Sequence, residues 1–173
     1  MLIRHLRVLS LLLVAAAAPR TSAQDSSFAA MQQRGKLAMG VDQYTSIHRF
    51  DDLADGGRIE LQRDRDDTAG VRAIRDHLRA IATAFSSGDF STPGFVHMRD
   101  VPGTKAMAAK RALLRYRFVA LPRGGALHIT TADTTARRAV HEFLAFQRGE
   151  HHAAGDAMPD GGGHAAHGTH PPR

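Results

Sequence analysis

Eleven histidines and six methionines stand in a chain of 173 residues that contains no cysteine. Neutral imidazole suits zinc, copper and nickel, and thioether beside imidazole favours copper, above all Cu(I). The absence of thiols excludes thiolate metal sites, thiol redox chemistry and disulfides. Position matters more than number. His48, His77 and His97 are spread through the middle of the chain, with Met98 beside His97 and with Met39 and Met107 further along the same stretch. His151 and His152 are adjacent, and His164, His167 and His170 recur every third residue among Gly, Ala and Pro. A flexible His-rich tract of this kind reads as metal-binding by composition, several imidazoles wrapping one ion at modest affinity.

Catalytic patterns are sought and fail. His141 and Glu142 open the zinc-protease pattern H-E-x-x-H, but the fifth position is Ala145, so the second ligand is missing. The nucleophile elbow G-x-S-x-G, the phosphate-binding P-loop and the dinucleotide fingerprint are absent. Asp51, Asp52 and Asp55 cluster where a hairpin is expected to end and read as a solvated turn. No nucleophile can be paired with a base, so an enzyme is not expected.

The elements that must position the histidines come from an internal repeat. Gly35, Ala38 and Met39 recur as Gly103, Ala106 and Met107; His48, Arg49 and Phe50 recur as Tyr116, Arg117 and Phe118; Leu53, Gly56 and Gly57 recur as Leu121, Gly124 and Gly125. After a two-residue deletion, Asp67, Arg72, Ala73 and Leu78 recur as Asp133, Arg138, Ala139 and Leu144. Each copy predicts a hairpin and then a helix. Asp55 with Gly56 is the tight-turn signal of the first hairpin, and centring the turn there pairs Phe50 with Leu61. The corresponding turn at Arg123 and Gly124 pairs Phe118 with Ile129. Asp67 and Asp133 are the expected helix N-caps. Val71, Ile74, Leu78, Ile81 and Phe85 follow at helical spacing up to Gly88, as do Ala136, Val140, Phe143, Leu144 and Gln147 up to Gly149. Residues 89–103, with two prolines and two glycines, read mostly as loop, and residues 105–113 as a short helix before the next strand. The expected fold is α+β: two ββα repeats forming a four-stranded antiparallel sheet with two helices on one face, related by a pseudo-twofold.

The repeat also acts as a control. His48 stands where the second copy has Tyr116, and His77 where it has Phe143, both at positions facing the core. One copy fills both places with aromatics and the other fills both with imidazole. An inward strand histidine opposite an inward helix histidine can bind a metal, with His97, Met98 and Met39 able to close over the same site. The plainer alternative is a pair of core histidines hydrogen-bonded to backbone or to Asp52, with methionines filling gaps.

Residues 1–23 read as a signal peptide: Arg4 and Arg7, an apolar run over residues 8–18, and small residues before a cleavage point after Ala23. That run is too short to span a bilayer, which takes roughly 20 apolar residues, and no membrane anchor is expected. Without Arg4, Arg7 and Arg20, 20 Lys and Arg face 17 Asp and Glu, a net charge of +3 instead of +6. Such a scattered, mild charge gives no nucleic-acid footprint. The predicted organisation is a single α+β domain over residues 24–148, with repeat units at about 35–88 and 103–148, and a disordered His- and Gly-rich tail over residues 149–173.

Met39, Gly40, Asp42 and Gln43, then His48 and Phe50, the glycine-flanked hairpin and the Ile74, Arg75, His77, Leu78 stretch form a pattern. It continues through Gly88, Asp89 and Phe90, His97, Pro102 and Gly103, and ends at Ala145, Phe146 and Gln147. Over about residues 31–152 the chain resembles a group of small uncharacterised bacterial proteins that share this M-G-x-D-Q…H-x-F motif; the resemblance implies no particular activity. Taken together, the residues suggest a periplasmic or secreted transition-metal binder, with copper the expected ion and other divalent transition metals the alternatives. It would have an inner site (His48, His77, His97, Met98, Met39) and a separate tail site (His151, His152, His164, His167, His170) acting as buffer or scavenger. The alternative is a non-catalytic periplasmic module binding a protein or small ligand, or pairing as a homodimer, through residues 90–104 and the open sheet face. Ligation by ordinary imidazole should fall as pH drops through about 6.5.

Overall fold

The computed structural model describes residues 21–153; the segment read as a signal peptide lies outside it except for residues 21–23, as do His164, His167 and His170. Helix α1 (Thr21–Met39) runs through the junction at Ala23 and leads by a single 3-10 turn (Gln43–Thr45) into strand β1 (Ser46–Leu53). Strand β2 (Gly56–Arg63) and helix α2 (Thr68–Ser87) complete the first unit. Two short helices, α3 (Ser91–His97) and α4 (Thr104–Ala109), precede strands β3 (Arg115–Leu121) and β4 (Gly124–Thr130) and helix α5 (Thr134–Glu150). The fold is α+β, with one antiparallel sheet in the order β1-β2-β4-β3, so the hairpins meet through their second strands. Among the described residues no helix is long and apolar enough to cross a membrane.

Local chemistry explains the helices. Asp67 accepts a bond from the Gly70 N–H at 3.0 Å and Asp133 one from the Ala136 N–H at 2.7 Å, each satisfying a free donor of the first turn. Gly88 ends α2 in the left-handed conformation at φ 86°. The stripes expected from spacing form the core: Ile74, Leu78, Ile81 and Phe85 of α2, and Ala136, Val140, Phe143, Leu144 and Gln147 of α5, are buried against Phe50, Ile59, Leu61, Leu127 and Ile129 of the sheet. Each helix lies over the other unit's hairpin, α2 mainly over β3 and β4 and α5 over β1 and β2.

Two side chains fasten this crossed arrangement. Arg75 of α2 donates to the Gly124 and Leu121 carbonyls at 2.9 and 2.7 Å, and His141 of α5 donates through Nε2–H to those of Gly56 and Leu53 at 2.9 and 3.1 Å. These carbonyls belong to the residue pairs that close the two hairpins, Leu53 with Gly56 and Leu121 with Gly124. A hydrogen bond contributes about 0.5–1.5 kcal/mol net, so His141→Ala, which removes two of them, is expected to lower the free energy of unfolding by about 1–3 kcal/mol in urea titration. An unchanged midpoint would show that water replaces the ring at no cost.

Four expectations from the sequence are corrected. Both hairpins turn two positions earlier in pairing than the glycine signal suggests: Phe50 pairs with Ile59 and Phe118 with Leu127. Gly56 and Gly124 are strand residues, kept free of a side chain because a Cβ would overlap the Ile129 or Leu61 carbonyl of the adjoining inner strand. Residues 91–97 are helical and not loop, since Pro93 sits in the first turn, where its missing N–H has no intrahelical partner to lose. Asp51 and Asp52 are buried ion-pair partners, of Arg58 and Arg148 respectively, and not a solvated turn. Finally, α5 continues through Gly149 to Glu150 and is followed by an ordered turn, which matters for the site below.

Candidate metal centre

One cavity of about 90 Å³ opens between the C-terminal end of α1, the sheet, α2, α3 and the end of α5. His48 of β1, His77 of α2, His97 of α3 and Met39 of α1 all line it, and so does His151. The remaining wall is apolar apart from Thr92 and Gln147, and contains no Asp, Glu, Lys or Arg. Three of the expected inner histidines and one of the two expected methionines therefore converge. Met98 does not: it ends α3 in a left-handed conformation, 69% exposed and away from the cavity. Met107 is fully buried in the core.

His151 is the residue that composition misassigns. Its Gly- and His-rich surroundings group it with the tail, yet the last turn of α5 carries it back over the cavity. Its ring centroid lies 5.9 Å from that of His48 and 5.1 Å from that of His97. Two imidazoles sharing one tetrahedral ion at about 2.0–2.1 Å per bond have centroids roughly 5 Å apart, so the spacing of His48 and His151 falls near the range of a shared ion. His152, its neighbour, turns outward and stacks on Phe28 at 4.6 Å.

Each ring has one nitrogen held by an oxygen. Ser46 Oγ gives its proton to the Asp42 carbonyl at 2.8 Å and accepts from His48 Nε2–H at 3.0 Å, leaving Nδ1 of His48 free. His77 donates Nδ1–H to the Ala38 carbonyl at 3.1 Å, leaving Nε2 free. His151 donates Nδ1–H to Gln43 Oε1 at 2.7 Å; Gln43 in turn donates to the His151 carbonyl at 2.6 Å and accepts from Gln32 at 2.8 Å. His97 Nε2–H donates to Gln147 Oε1 at 3.2 Å, and its buried Nδ1 has no hydrogen bond and lies 3.9 Å from Glu150, outside this cavity. Oxygen partners on the second nitrogen are what fix tautomer and ring orientation in histidines that ligate metals. The tautomers follow from this hydrogen-bond network.

The electrostatics match a set of neutral rings. Burial, and secondarily the neighbouring His77, lowers His48 to about 4. Burial, then His48, His97 and His152, lowers His151 to about 3. Burial also lowers His77, against the pull of the Ala38 carbonyl, and His97, against Gln147 and Glu150. The pH 6.5 expected from the sequence is that of a solvated imidazole, and all four rings are shifted below it. Among the described residues no three His, Asp or Glu side chains are grouped closely enough to hold one ion as they stand. The arrangement supplies at most pairs of imidazoles with a thioether nearby.

Sequence reasoning misses the supporting amides. Gln43 and Gln32 orient His151 and Gln147 orients His97. Gln147 does carry a signal, as the one polar residue in the inward stripe of α5. Compared with family models, with curated proteins and with solved structures, the chain matches none. The geometry alone therefore carries the functional reading.

Proposed function

We propose that the protein is an exported, periplasmic transition-metal binder, for copper before other ions, with its principal site in the histidine-lined cavity. One observation carries the reading: four neutral imidazoles and the Met39 side chain line a single small cavity, each ring with one nitrogen held by an oxygen acceptor. A core histidine needs one hydrogen bond, but nothing in packing requires four in one place at the cost of their desolvation. The volume also favours an ion over an organic ligand, because pockets for drug-sized molecules run to roughly 300–1,000 Å³. A buffering or scavenging role, with the tail histidines His152, His164, His167 and His170 as a weaker second site, goes with this reading. Export rests on the features of residues 1–23.

The test is calorimetry with elemental analysis on untagged protein, full length and ending at Ala153, so that His151 is retained. One equivalent of copper should remain bound in the shorter form and be lost on His48→Phe/His77→Phe, which restores aromatics as in the second repeat. If the shorter form binds neither copper nor zinc, or binds equally well after both substitutions, the site does not exist. The alternative module, binding a protein through residues 90–104, draws on Phe95 of α3 and Met98 at its C-terminal cap, exposed at 47% and 69%. A metal-indifferent chain forming a stable dimer in light scattering would favour it.

A further inference from the structure

Given that reading, we infer that the cavity is built for a monovalent soft cation, Cu(I), and discriminates against Cu(II) and Zn(II). Three observations lead there. First, no carboxylate lines the cavity, and every candidate donor (imidazole nitrogen or the Met39 thioether) is neutral. The nearest carboxylate recorded beside one of these rings, Glu150, lies against the far nitrogen of His97 and is held at 2.8 Å by Arg99. Charge brought into the cavity is therefore not neutralised. The desolvation cost of an ion in a low-dielectric site grows with the square of its charge, so a divalent ion costs about four times as much as a monovalent one of equal size. Imidazole would bind either; the apolar wall of Phe50, Ile59, Leu61, Ile81, Phe85 and Val96 makes the difference.

Second, the donor grouping is sparse. Closed zinc sites take four ligands in a tetrahedron. Here no three His, Asp or Glu side chains group around a point among the described residues, while His151 approaches His48 and His97 keeps its free nitrogen outside the cavity. A d10 monovalent copper ion accepts two nitrogen donors with a thioether as the third, and His48, His151 and Met39 all line this cavity. Third, Met39 is 7% exposed and lines the cavity, whereas the exposed Met98 does not. Met39 thus belongs to the cavity wall, where only a thiophilic ion would gain from its sulfur.

Full-length untagged protein is titrated without oxygen against Cu(I) in competition with a chromophoric Cu(I) chelator. Ag(I) serves as a redox-inert probe of the same charge, and Cu(II) and Zn(II) are titrated separately. The contribution of the cavity is what His48→Phe/His77→Phe removes, which sets aside binding by the tail. Met39→Leu, close in volume, provides the second variant should the first fail to fold by circular dichroism. Cavity affinity for Cu(I) and Ag(I) should exceed that for Zn(II) by at least about a hundredfold, and Met39→Leu should weaken Ag(I) about tenfold while leaving Zn(II) unchanged. Equal or tighter cavity binding of Zn(II) or Cu(II), or indifference of Ag(I) to Met39→Leu, overturns the selectivity and leaves the metal-site reading standing. If neither substitution alters the binding of any of the four ions, both readings fail together.

Discussion

Alanine in place of Gly124 is expected to destabilise the protein by about 3 kcal/mol, the upper end of the usual cost of forcing atoms into a packed interior. The added Cβ would overlap the Leu61 carbonyl oxygen, a backbone atom that cannot swing aside without breaking the β2–β4 pairing. Gly56→Ala should cost more. Its Cβ would meet the Ile129 carbonyl, and its φ of +148° adds backbone strain on the order of 1–3 kcal/mol. Against a total stability of roughly 5–15 kcal/mol, the double variant is expected not to fold. Gly149→Ala is the control: that glycine is helical and a Cβ added to it would have nothing within 4 Å, so alanine should stabilise by about 0.5–1 kcal/mol. Urea midpoints for the three variants check the order. A Gly124→Ala protein with a wild-type midpoint would mean that the hairpins do not meet through their second strands.

The same glycines show how far the fold is legible in the sequence. Gly56 beside Asp55, and Gly124 beside Arg123, carry a turn signal, but a glycine next to a turn and a glycine required by close approach of another strand look alike in sequence. Reading them as turn centres puts both hairpins two positions out of register. The error leaves the faces intact, because a slip of two keeps the alternation of side chains; His48, Phe50 and Leu61 still turn inward. The helix stripes of α2 and α5 are readable because their apolar spacing is strong. Helix α1 is not, since among its described side chains Met31, Gln32 and Met39 are the buried ones while Leu37 stands 78% exposed. Which helix covers which hairpin is a long-range outcome with no local signature.

At the site, reading His48 against Tyr116 and His77 against Phe143 picks out two residues that line the cavity. A lone histidine pattern would not do so, because a core histidine and a ligand have the same spacing. His151 escapes because it lies in a His-rich, Gly-rich stretch whose composition argues for a solvated tail. What draws it inward is Gln43, more than a hundred positions earlier in the chain, and a pairing of that kind is visible only once the fold exists.

Acidification should reveal the buried imidazoles in the metal-free protein. His48 takes up a proton near 6.5 in the unfolded chain but only at about 4 in the folded one, and His151 only at about 3. Between those values the unfolded state binds protons that the folded state refuses. Stability therefore rises with pH across that window, is complete above about 6.5, and is lost as pH falls from 6.5 toward 4. At about 1.4 kcal/mol for each pH unit of difference, His48 alone accounts for roughly 3 kcal/mol. His151 adds to this, though less than its own value suggests, since the two rings repel and their protonations are coupled. The N-cap carboxylates Asp67 and Asp133 are depressed by their helix N–H bonds, so what they contribute is lost only below about pH 4, outside this window. Urea midpoints for the metal-free protein should thus be level from pH 8 to 7 and then fall steeply to pH 4.5. In His48→Phe, whose ring cannot be protonated, the slope should shrink. A wild-type midpoint that stays level down to pH 4.5 would show that the rings are solvated, and with that the dry, neutral cavity on which metal selection depends would be gone.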